Sequence, residues 1–410
     1  MACTPVSPSL ATLLNQLGPS YLIRQCIDDW FQLVHSVAPI LHRREFLSRL
    51  EHGHALRDAE FCALVISLCA ASVATLRNRS SVNYGTITAE KCWDIIRQNN
   101  LLHQRPQFSL EKCLAKYNIA TALLASRSVD QPESFTLMAE SVAGVKYMLY
   151  YDLPTMPFLA QQLLKRLFWL LFAWECSADI LVRPTIGVLT AQDNITTLRP
   201  LSVTDAELDP SQAIEEPAWH GDYYSYIPGL NHLSDLFLLW HESQQPHNRS
   251  ADQLLLHLSL VERALDQLPP ELRWRGGLSR PPRSNFGTDV QVANLYITQL
   301  QIRSNLLEQA RNMPGAKVTS MEHQSLVDDL LEILDHMPRD ILEANGYSLV
   351  PKIRDIGAAF LDEVRMGARQ DLVNDKAKRD LEKLLRRLET LDFRPGIGYL
   401  NSQCCEENIT

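Results

Sequence analysis

The chain has 410 residues, 46% of them hydrophobic, a formal net charge of −9 and a pI of about 5.8. That composition supplies enough apolar side chain for a large globular core. It also excludes a protein whose main business is contact with nucleic-acid phosphates, which calls for a basic surplus. No run of about 20 apolar residues is present, which excludes a helix that spans a bilayer.

In chain order, "MACTPVSPSLATLLNQLG" has no basic stretch leading into an apolar one, so no signal peptide is expected. Residues 1–18 are expected to form an N-terminal extension. Residues 19–38 predict a helix with Leu22, Ile23, Cys26, Ile27, Trp30, Phe31 and Val34 on one side, closed by Pro39. "REFLSRL" predicts a short helix. Residues 59–76 are apolar nearly all round and predict a buried one. Helices are predicted over 87–102, 109–127 and 133–150, then from about Leu159 to Leu181. From 185 to 225 the chain reads as a long, acidic, Pro-bearing surface connection. Helices resume over 229–243, 250–267, 289–312, 319–336, 338–344 and 350–368. A final helix and tail occupy 371–410, with Leu381, Leu384, Leu385, Leu388 and Leu391 on one stripe. No strand alternation and no internal repeat is visible, so the expected fold is an all-α, irregular multi-helix bundle. The boundary near 185–225 divides either two domains or two halves of one.

The stretch "KRLFWLLFAWECSADILVRP" (165–184) poses the sharpest question. Its eight uninterrupted apolar residues are too few to cross a membrane, where Glu175 and Asp179 would be costly. Glu175 and Asp179 stand one turn apart and share a helix face. Paired carboxylates can perform acid–base work or hold a metal. Arg183 follows four residues after Asp179, and Lys165 and Arg166 open the helix. A buried network of ion pairs is therefore the expected reading.

Residues 165–200 resemble the signature of the fungal transcription factor regulatory domain, the middle homology region that accompanies zinc binuclear cluster DNA-binding domains. Lys165-Arg166, Phe168-Trp169, Glu175, Arg183-Pro184 and "LTAQDNITTLRP" fill the signature's places. "DDWFQLVHSVAPILHRREFLSRL" (28–50) is similar to the family's opening segment through Pro39, Ile40, Leu41, His42 and Phe46. "LVPKIRDIGAAFLDEV" (349–364) is similar to a later helix of it. The resemblance implies one regulatory domain over 19–370, with Arg166, Phe168, Trp169, Glu175, Arg183 and Pro184 as core signature residues. Cys176 and Val182 depart from the pattern, standing where many members have Arg and Gly.

The zinc cluster itself needs six cysteines within roughly 30 residues. The nine cysteines here (3, 26, 62, 69, 92, 113, 176, 404 and 405) are scattered and form no C-x-x-C, so neither that module, a zinc site nor a disulfide framework is expected. No cofactor is expected.

Other candidates are weaker. His52 and His54 beside Glu51 lack a third ligand and helical spacing, and read as a solvated turn. His35 and His42 flank Pro39, and His42 reads as a hydrogen-bonding core or loop residue and not a general base. "RWRGGLSRPPR" places Arg273, Arg275, Arg280 and Arg283 around Trp274, a candidate phosphate-contact loop. No G-x-S-x-G, P-loop, G-x-G-x-x-G or H-E-x-x-H occurs.

The resemblance therefore leads to a nuclear transcriptional regulator, not an enzyme and not a membrane protein. Its partners would be other regulators or the transcription machinery, with a small-molecule effector as a further candidate and little direct DNA contact. An interaction scaffold and a helical metabolic enzyme are the alternatives, since a fold does not fix a function.

Overall fold

Short polar side chains decide where many of the helices begin. The computed structural model describes residues 8–76, 84–127, 131–208, 224–248, 250–276, 284–314, 320–368 and 375–391. Among them there is no strand. Helix α1 (Leu10–Leu17) starts where Ser9 accepts from the Thr12 amide, and α2 (Ser20–Asp29) follows Pro19. His42 caps α3 (Arg43–Glu51), Asp58 caps α4 (Ala59–Thr75), Thr88 caps α5 (Ala89–Gln98) and Ser109 caps α6 (Leu110–Ser126). Each cap satisfies an amide that a helix start leaves without an intrahelical partner. Pro132 opens α7 (Pro132–Tyr147), where its missing N–H costs nothing.

Helix α8 (Phe158–Ile180) leads into a strap holding two single-turn helices, α9 (Ile195–Leu198) and α10 (Asp205–Leu208). The second half comprises α11 (Ile227–Ser243), α12 (Ala251–Arg263), α13 (Phe286–Arg311), α14 (Ser320–His336), α15 (Arg339–Ala344), α16 (Val350–Ala368) and α17 (Asp375–Leu391). Asn285 and Thr288 start α13 with a reciprocal capping box.

Two elements differ from the sequence reading. The helix predicted over 19–38 keeps α-geometry only to Asp29, then widens into a π-turn at Trp30–Val34. The wider turn lets Trp30, Phe31 and Val34 all point inward. A second π-turn, Met148–Asp152, ends α7. Within the stretch 1–18, α1 carries Leu13 and Leu17 into the core against α4 and α5, while residues 1–7 lie outside the described residues.

Helix α4 is the axis of the first half, buried on nearly every residue from Glu60 to Ala74 and packed on α2, α5 and α6. Helix α13 plays that part in the second half, against α11, α12, α14, α15 and α16. One continuous apolar core runs from Leu13 to Leu384, with α8 and α11 packed together between the halves. Polar cross-links follow the same route. Gln291 of α13 donates to the Ser36 and Tyr226 carbonyls, and Asn345 donates to Val290. The chain between 185 and 208 therefore crosses a shared core and separates no independent ones. Residues 209–223 lie outside the described residues.

Candidate functional site

Phe168, Trp169 and Phe172 of α8 are fully buried and stack edge to face with centroids 5.5 and 5.6 Å apart. This apolar filling fixes the roll of α8 and aims its few polar groups at the strap 186–208.

Those groups fasten the strap at four points. The Gln162 Oε1 accepts from the Leu201 amide at 3.0 Å. Arg166 Nη1 donates to Asp205 Oδ1 at 3.0 Å and to the Pro39 carbonyl at 3.2 Å. Trp169 Nε1 donates to the Leu198 carbonyl at 2.9 Å. The Glu175 carboxylate accepts three successive backbone amides, from Ile186 at 2.6 Å, from Gly187, and from Val188 at 2.7 Å. Positions 162, 166 and 169 recur at helical spacing, so one stripe of α8 does most of the fastening.

Neighbouring helices hold the strap from the other side. The Arg199 guanidinium lies 4.6 Å from the Trp169 ring centre, donates to the Asn231 carbonyl and pairs with Asp235 of α11. Lys146 of α7 donates to the Val188 carbonyl and pairs with Asp193 at 3.3 Å. Asn231 donates to the Pro200 carbonyl.

At the α10 end lies a buried ionisable cluster. His42 Nδ1 accepts from the Glu45 amide, so its proton sits on Nε2, which donates to the Asp205 carbonyl at 2.9 Å. His35 Nε2 is 4.0 Å from Asp205 Oδ2, and its ring is wedged between Trp30, Phe31 and Tyr226. Burial lowers its pKa to about 4, against the pull of Asp205, so His35 is uncharged at neutral pH. Beside these groups is a cavity of about 10 Å³, lined among others by His35, Pro39, Arg166, Asp205 and Tyr226. That is barely room for one water molecule and far below the volume of a metabolite site.

The predicted ion-pair network takes a different form from the one the helix suggested. Arg166 finds its carboxylate on the strap, 39 residues away, not on its own helix. Glu175 meets backbone amides, and Asp179 accepts from Trp240 Nε1 of α11 at 2.8 Å. The two carboxylates are thus engaged in different directions and do not converge on a common point. Of the signature residues, Arg166, Phe168, Trp169 and Glu175 are buried, whereas Arg183 is half-buried and Pro184 exposed. Arg183 and Pro184 therefore belong to the helix exit, not the core.

Burial pushes the Cys62 thiol up to about 12 and the Cys176 thiol well above its ordinary range, so both pack as apolar groups. Among the described residues no group of three His, Cys, Asp or Glu could hold a metal ion, and no helix is long and apolar enough to cross a membrane. His52 Nδ1 donates locally to the Ser48 carbonyl at 2.7 Å. In the arginine loop, Arg273 donates to the Leu268 carbonyl and Arg275 is exposed, while Arg280 and Arg283 lie outside the described residues.

Sequence reading missed Asp205, Gln162 and Arg199. Asp205 sits in an acidic, irregular stretch that looks solvated, and nothing local marks it as the partner of Arg166. Compared with protein-family models, curated proteins and solved structures, the chain matches none.

Proposed function

We propose that this chain is a fungal transcriptional regulator, working through a helical regulatory domain; no zinc cluster lies within these 410 residues. The observation that carries the reading is the strap: the buried polar residues of the signature segment, Arg166, Trp169 and Glu175, all hold residues 186–208 in place. Their chemistry is that of a fastening and not of a reaction centre. Such a segment can serve as a two-state element, provided some ligand or partner binds its two states unequally. The 10 Å³ cavity beside Arg166 is too small for an effector, so a small molecule acting at that point would favour an opened strap. The resemblance of 28–50, 165–200 and 349–364 to the regulatory domain adds the nuclear setting and the regulator partners.

The test is a tethered reporter. Residues 1–410 are fused to an unrelated DNA-binding module and transcription is measured in a fungal host, with Glu175→Gln alongside. The expected result is a clear rise or fall over the module alone, altered in the variant. No change from a nuclear, folded fusion would refute the reading and favour a scaffold.

A further inference from the structure

Helix α17 is held differently from every other long helix. Its seventeen residues bury only Ala377 and Leu384, with Leu381, Leu388 and Leu391 partly covered. The leucine stripe therefore faces inward, onto α14 and α16, while Leu385 points to solvent at 51% exposure. Leu384 enters a notch left by Gly357 of α16, its Cδ2 3.1 Å from where a Cβ would stand. Any side chain at 357 would crowd that seat.

The remaining hold is electrostatic and matched in spacing. Asp328 and Asp335 of α14, seven residues apart, meet Lys376 at 2.7 Å and Lys383 at 2.5 Å, which are also seven apart. Arg387 adds a bond to Asp335 at 2.7 Å, and Gln324 donates to Asp380. Partial burial of Asp335 would raise its pKa, but the bonds from Lys383 and Arg387 hold it below the usual carboxylate range. Helix α14 carries Glu322, Asp328, Asp329, Glu332 and Asp335 and no Lys or Arg, whereas α17 has six cations against four acids. All three ion pairs are half-exposed, so salt screens them.

Apart from their contacts with α17, helices α14 and α16 are both packed on α13. Leu326, Leu330 and Leu334 of α14 and Ile353, Ile356 and Phe360 of α16 are buried in the core that these helices share with α13.

We propose that the α14–α16 groove is a docking surface for a basic, leucine-striped amphipathic helix of a partner protein, and that α17 is its resident occupant, displaced when the partner binds. The surface is separate from the strap and stands whether or not the strap is a regulatory element. A partner helix would bring a leucine for the Gly357 notch and two cations one heptad apart for Asp328 and Asp335. A covered groove binds in proportion to the fraction of molecules in which it is open.

The experiment uses the full chain and a fluorescein-labelled synthetic peptide of residues 375–391, read by anisotropy. Hydrogen exchange of the α17 amides and sedimentation are followed in parallel. Lys383→Glu with Arg387→Glu should free α17, seen as faster exchange, and tighten peptide binding at least about tenfold over wild type. Adding Asp328→Ala and Asp335→Ala should weaken the peptide again, and about 1 M salt should do the same. Three results would overturn the proposal: equal peptide binding by wild type and variant, a freed α17 with no peptide binding, or unchanged exchange in the variant. A concentration-dependent dimer of the freed variant would assign the groove to a second copy of this chain and overturn it as a partner site.

Discussion

Replacing Glu175 by glutamine tests the strap at its best-defined fastening. The carboxylate accepts the Ile186 and Gly187 amides on Oε1 and the Val188 amide on Oε2, with its residue only 8% exposed. A glutamine can keep Oε1 where it is. Its amide nitrogen then faces the Val188 N–H, donor against donor. One charge-assisted bond is lost and two become neutral. Hydrogen bonds to a charged acceptor contribute about 1.5–3 kcal/mol each and neutral ones about 1, so the expected loss is about 2.5–7 kcal/mol. With an unfolding entropy of roughly 2 cal/mol/K per residue, a chain of this length melts about 3–8 °C lower. Calorimetry measures that shift, and hydrogen exchange locates it: the amides of 186–188 should lose protection while those of α4 keep theirs. An unchanged melting temperature with unchanged protection at 186–188 would refute the fastening role of Glu175.

The Arg166–Asp205 pair should behave as a unit. Arg166→Met and Asp205→Leu each strand a buried charge and should cost about 3–5 kcal/mol, whereas the double variant should cost clearly less than their sum; additive losses in a urea-denaturation cycle would show that the two do not interact. His35 sets a pH dependence. Its pKa is lowered from 6.5 to about 4, so between those values the unfolded chain binds more protons and stability falls as pH drops. From pH 7 to pH 5 this group alone removes about 2 kcal/mol. His35→Gln should flatten the slope of unfolding free energy over that interval relative to wild type, and an equally steep variant would place the acid sensitivity elsewhere.

Much of the architecture is written locally. The 3.6-residue spacing of apolar side chains marks α4, α6, α8 and α13, and the caps Asp58, Thr88, Ser109 and Ser250 stand within one or two residues of the starts the spacing suggests. The π-turns at Trp30–Val34 and Met148–Asp152 are not marked this way, because an α-helix and a π-turn differ by one inserted residue and only the packing decides which buries Trp30 and Phe31 together. The leucine stripe of 381–391 was readable as a stripe, yet its direction depends on α14 and α16.

The sequence by itself determined that the chain is helical, that α8 is buried all round, and that its polar residues must have partners. Those follow from short-range periodicity and from the cost of desolvating Arg166 and Glu175. Only the tertiary structure decided who the partners are. Arg166 reaches Asp205 across 39 residues, Trp169 reaches Leu198 across 29, and Gln291 reaches Ser36 across 255. Such pairings leave no trace in local spacing, because they depend on how the whole core closes rather than on any helix alone.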